Sequence, residues 1–256
     1  MQPMHWPLKK PSSTRFIELD MIRGFALIFM ILLHLVWDLD YFGIFKLNTQ
    51  FYQSNVVVQV LFFSIVGVCQ SLKSDKEPLT DDQRRAKTWK IAKRGLYILG
   101  LGMIISLVTF IIMPDRPIFF GVLHCIGLSI LLSIPLIRLR EKAILVAVPC
   151  IIAGIVLGHI VVQNPSYLQL IIGLHQADIM NHTIDYFPIL PWFGVSMLGV
   201  AVGSMLYKNN TRQFRFPDLS STTLTKFCSW CGRHTLSIYL LHQPVIAGVL
   251  YLRVFF

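Results

Sequence analysis

The sequence predicts an all-α fold: a polytopic transmembrane helix bundle with about seven spans and a cytoplasmic N-terminus. Three observations predict it. Of 256 residues 54% are apolar and 14% charged, where a soluble domain carries about 45–50% and about 25%. Mean hydropathy is +0.61, more apolar surface than one core of this size can hide, so much of the surface must face lipid. Finally, the 23 Lys and Arg are distributed very unevenly between the connections.

A spanning helix needs about 20 mostly apolar residues, and seven stretches qualify: 22–41, 55–72, 95–113, 118–137, 143–162, 186–207 and 235–254. The first is not read as a cleaved leader, because Glu18, Asp20 and Arg23 interrupt its approach and no small-residue cleavage site follows. Residues 1–18 read as a cytoplasmic tail, and 1–256 as a single domain without a fixed-period repeat. With the N-terminus inside, twenty basic residues fall on the inner side, from Lys9, Lys10, Arg15 and Arg23 through the eight between Lys73 and Arg94 to Lys226 and Arg233. Only Lys46, Arg116 and Arg253 fall outside, which is the asymmetry expected of inner loops. The net charge of +10 is therefore mostly a topology signal, and nucleic acid is not expected as a partner. Segments 73–94, charged and helix-friendly, and 208–226, polar, read as inner loops. The outer segment 163–185 carries Leu168, Ile171, Ile172 and Leu174 as part of a stripe that suggests a short helix lying at the interface.

Chemistry is carried by the polar minority inside the spans, because an ionisable group near the bilayer centre costs about 2.5–3.5 kcal/mol on insertion scales. His34 lies eleven residues beyond Arg23, roughly 16 Å at 1.5 Å per residue and so near the midplane. Asp38 is one turn further on the same face, placed to orient the imidazole for general base work. His124 and His242 fall within the same middle band from the other helices. Together the three histidines suit catalysis or a proton relay; an interhelical hydrogen bond is the simpler use of each.

Asp20 and Arg23 at the inner edge fit either an anchoring salt bridge or, with Arg94 and Arg233, a cradle for an anionic cofactor. Asn55 and Gln59 form a polar face at the outer end of the second stretch, suited to a substrate vestibule or to a helix contact. Outside, the 3, 4, 3 spacing of His175, Asp178, His182 and Asp185 would put them on one helical face, which the solvated side of an amphipathic helix explains better than a metal. No metal is assigned. Five cysteines, with only Cys228 and Cys231 close together, make neither a disulfide framework nor a zinc set.

Four blocks in order give these segments a family likeness: Leu19-Asp-Met-Ile-Arg-Gly24 running on to His34 and Asp38; Gly121-Val-Leu-His-Cys-Ile-Gly127; Asp185-Tyr-Phe-Pro-Ile-Leu-Pro-Trp-Phe-Gly194; and Gly232-Arg-His-Thr-Leu-Ser-Ile-Tyr-Leu-Leu-His-Gln-Pro244. Together they resemble the membrane acetyltransferases related to the heparan-alpha-glucosaminide N-acetyltransferase catalytic domain, in their prokaryotic form. The resemblance implies transfer of an acetyl group from cytoplasmic acetyl-CoA, a co-substrate, to a sugar hydroxyl or amine at the outer side of a prokaryotic inner membrane. It implies Asp20, Arg23, Arg94 and Arg233 near the CoA phosphates, and Asn55, Gln59 and Asp185 on the acceptor side. His34, with Asp38, would deprotonate the acceptor, and His124 or His242 would donate to the oxyanion; an acetyl-histidine intermediate is a second route. The chain shows no counterpart of the lysosomal enzyme's large lumenal domain, which points away from heparan sulfate. The lipid bilayer is the expected partner, and a homodimer is one arrangement open to it. The reading from another class is a proton-coupled transporter or flippase using the same histidines as a relay.

Overall fold

The computed structural model describes residues 15–46, 55–72, 80–208, 211–217 and 222–255. Lys9, Lys10, Lys73, Lys76, Ser220 and Ser221 lie outside the described residues. In chain order the elements are α1 (Ile17–Tyr41), α2 (Asn55–Ser71), α3 (Asp81–Ile112), α4 (Val122–Ser133), a 3-10 turn (Ile137–Ala143), α5 (Ile144–Gly158), α6 (Tyr167–Ile172), α7 (Ile179–His182), α8 (Ile189–Leu206), a two-residue hairpin of β1 (Tyr207–Lys208) and β2 (Thr211–Arg212), α9 (Thr223–Arg233) and α10 (Thr235–Phe255). They form two units. One comprises Met1–Leu47 with Pro217–Phe256, the other Asn48–Phe216.

Among the described residues, five helical segments are long and apolar enough to cross a membrane: Ile17–Tyr41, Asp81–Ile112, Ile137–Gly158, Ile189–Leu206 and Thr235–Arg253. The other two expected stretches are shorter helices, α2 of 17 residues and α4 of 12, or about 26 and 18 Å against a core of ~30 Å. Helix α4 is short for local reasons. Residues 118–121 are non-helical, with Gly121 extended as the N-cap, and Pro135 has no N–H with which to continue the ladder.

One boundary differs from the reading above. Helix α1 begins at Ile17, inside the expected tail, with Glu18 and Asp20 in its first turn where carboxylates favour the helix dipole. The helix-friendly connection 73–94 is helical from Asp81 onward, where Thr80 and Gln83 close a capping box and α3 then runs 32 residues without a break. In the outer segment α6 is a short helix that carries Leu168, Ile171 and Ile172 of the expected stripe; Gly173, at φ 125°, ends it before Leu174, and α7 starts six residues later.

In the first unit, α1 packs on α9 almost backbone to backbone. A Cβ at Gly24 would overlap the Cys228 carbonyl, and one at Gly232 the Asp20 carbonyl. The second unit repeats the device, with Gly67 against Ser196 and Gly199 against Ser64 seating α2 on α8. Lipid supplies little hydrophobic drive between helices, so small residues that admit close dispersion contact hold them together. Phe63, Phe120, Cys125, Met197, Val200 and Ala201 form the buried centre of that unit.

Candidate active site

The four sequence blocks pair in space, the first with the fourth in one unit and the second with the third in the other. In the first unit Arg23 donates from Nη1 to the Gly232 carbonyl at 3.2 Å and to Asp20 at 3.1 Å. Arg15 reaches the second Asp20 oxygen at 3.2 Å. The anchoring use of this pair is thus what the structure displays. Arg233, exposed and adjacent, gives its Nε–H to the Ser229 carbonyl, and its Nη groups have no partner among the described residues.

In the same unit, the rings of His34 on α1 and His242 on α10 lie 5.0 Å apart, centre to centre. Asp38, 2% exposed, does not receive its bonds from His34: Gln243 donates from Nε2 to both carboxylate oxygens at 2.8 and 3.1 Å. His242 donates from Nδ1 to the Tyr239 carbonyl at 2.5 Å. A carbonyl can only accept, so the neutral ring carries its lone pair on Nε2. That atom, like Gln243 Oε1, is buried and without a partner among the described residues. Two unsatisfied acceptors beside a second imidazole are costly to keep in an apolar bundle, and they suit a group that brings protons.

In the second unit the pairing surrounds the start of α4. Asp185 accepts the Val122 N–H at 3.0 Å, and His124 Nδ1 accepts the Gly121 N–H at 3.2 Å. These satisfy two donors that a helix N-terminus leaves open. The His124 proton is then on Nε2, facing Ser106 Oγ at 3.4 Å, and the ring packs where Gly102 of α3 has no side chain. His124 and Asp185 are therefore brought together as caps of one helix. Phe120 and Tyr186 pair as a β-bridge beside them.

Desolvation raises the Asp185 carboxyl to about 6, opposed in part by the Val122 N–H. Because the folded value exceeds the unfolded one, the native state holds the extra proton. Stability is full below about pH 4 and declines as pH rises to about 6, by up to about 3 kcal/mol. Asp185→Asn keeps the acceptor without the charge, so its thermal melt should be flatter than wild type across that window; parallel curves would refute the assignment.

Of the remaining predicted residues, Asn55 and Gln59 sit half-buried on α2, and Arg94 is exposed on α3. His175, Asp178, His182 and Asp185 do not share a helical face; Asp178 precedes α7 and pairs with His182 at 3.2 Å. Cys228 and Cys231 are buried free thiols against α1. Gln243 and Ser106 were not singled out from sequence. A lone amide or hydroxyl in an apolar run gives no period, and only its partner reveals its use.

The family model described as heparan-alpha-glucosaminide N-acetyltransferase, catalytic, matches residues 15–244. The chain belongs to the heparan-alpha-glucosaminide N-acetyltransferase catalytic family. The match runs through all four blocks and both units, and family membership places the chain among acetyltransferases, with its apolar helices indicating a multi-pass membrane protein. Transport is not favoured by it. No curated protein and no solved structure matches the chain.

Proposed function

We propose that this chain is a membrane acetyltransferase that moves an acetyl group from cytoplasmic acetyl-CoA to a hydroxyl or amine acceptor, such as a glycan, presented at the outer side of the cell membrane. The observation that carries the reading is the partnerless buried Nε2 of His242 beside His34. His242 Nε2 takes the proton of the acceptor as the acceptor's oxygen or nitrogen attacks the thioester carbonyl. The C–S bond then breaks, and the leaving thiolate takes that proton from the imidazolium. His34, at 5.0 Å, donates to the oxyanion, and Asp38, fixed by Gln243, offsets the positive charge that gathers on the pair.

This exchanges the roles first assigned to the two histidines, because Nδ1 of His242 is already committed to Tyr239. The Nε2–H of His124 turns to Ser106, so His124 is assigned to holding α4. Arg233, with Arg23 at the same end of the pair of helices, is assigned to the CoA phosphates. The two units act as one catalytic domain, since the family match spans both.

The test is transfer of labelled acetyl from acetyl-CoA by purified protein in nanodiscs, with envelope glycans and small amines as acceptors. Arg233→Gln should raise the KM for acetyl-CoA roughly tenfold, the loss of one charge-assisted contact, at unchanged kcat. Proton-gradient-driven uptake without turnover of acetyl-CoA would overturn the proposal.

A further inference from the structure

Helix α9 has two faces with different duties. Thr225, Cys228, Ser229 and Gly232, spaced i, i+3, i+4, i+7, are buried. Cys228 and Gly232 meet α1 at Gly24 and Asp20. On the opposite side Lys226, Trp230 and Arg233, spaced i, i+4, i+7, are exposed, with Phe227 one turn before Trp230 and Leu224 at the first turn. The helix contains no acidic residue. An aromatic flank beside a basic flank on one solvent-facing surface is the pattern of a helix lying in a membrane interface.

Its location agrees with this pattern. The contact with α1 falls at Asp20–Gly24, where the polar entry of α1 gives way to its apolar run. From there α1 continues with an exposed stripe of Ile22, Phe25, Phe29 and Leu32. At its other end α9 passes through His234 directly into the apolar helix α10. The exposed face of α9 is thus continuous with a lipid-facing surface, at the depth of its headgroups.

We infer that this face docks on anionic phospholipid, with Phe227 and Trp230 among the tops of the acyl chains and Lys226 against phosphate, Arg233 being left to the site. Bound lipid holds α9, and through the Gly24 and Gly232 contacts it holds the entry of α1, the helix that carries His34.

The experiment uses the full chain in vesicles containing brominated lipid, the Trp230 signal being the difference between wild type and Trp230→Phe. Trp230 should be quenched by bromine near the top of the acyl chains. Quenching should be stronger when the bromine is on phosphatidylglycerol than on phosphatidylcholine, by about fivefold local enrichment per basic residue at low salt. Lys226→Glu should abolish the preference for phosphatidylglycerol while leaving quenching by phosphatidylcholine. Absence of quenching by either lipid, as when a second copy or another protein covers the face, would overturn the inference, and so would equal quenching by both lipids in wild type.

Discussion

Replacing His242 with alanine lowers acetyl transfer by about 10²–10⁴-fold, the range that a positioned general base contributes. The loss falls on kcat, since the imidazole acts on the proton in flight and not on CoA. His34→Ala, which removes the neighbouring ring at 5.0 Å, produces a loss of the same order. Because the two act on one transition state, the double variant should be little worse than the worse single. Labelled acetyl-CoA turnover measures all three, with the thermal melt of each protein as the control for folding. A His242→Ala protein that melts like wild type and turns over at the wild-type rate would remove the site from consideration. Equal and fully additive losses would separate the histidines into independent roles.

The second large effect is structural. Gly24→Val places a side chain where the Cys228 carbonyl already lies, and no rotamer moves a backbone atom. Helices α1 and α9 must separate, which strips dispersion contact along the whole seam and detaches Arg23 from the Gly232 carbonyl. Overpacking ordinarily costs about 1–3 kcal/mol and more when backbone must move, so a collapse of the melting transition in detergent is expected. Gly100→Ala is the contrast, since nothing lies within 4 Å of a Cβ there. It should be neutral or stabilising by up to about 1 kcal/mol. If both variants melt like wild type, the close approach of α1 and α9 does not hold the unit.

Much of this architecture was legible because lipid is a simple solvent: it demands apolar length and satisfied backbone, and both are visible residue by residue. Each of the seven stretches contains a helix, and the four blocks named the family before their contacts were known. The ends of helices were less legible. The connection 73–94 is helix-friendly in composition, but where its helix starts is set by Thr80 capping with Gln83. The partner at the start of α4 is Asp185, 63 residues away in sequence, which accepts the Val122 N–H and which spacing does not reveal.

At the site, the sequence by itself determined which ionisable residues interrupt the apolar stretches and how far apart they are along each helix. That brought out His34, Asp38, His124 and His242, because a buried ionisable group is conspicuous in an apolar run. Only the tertiary structure decided their partners. Asp38 was placed to serve His34 by spacing alone, and it is taken by Gln243 from another helix. His124 shared a depth with the other histidines and proved to cap its own helix. The reason is geometric: helical spacing fixes the direction of a side chain about its own axis, whereas a hydrogen bond is fixed by where a second axis lies, and that is set by glycines packing against distant backbone.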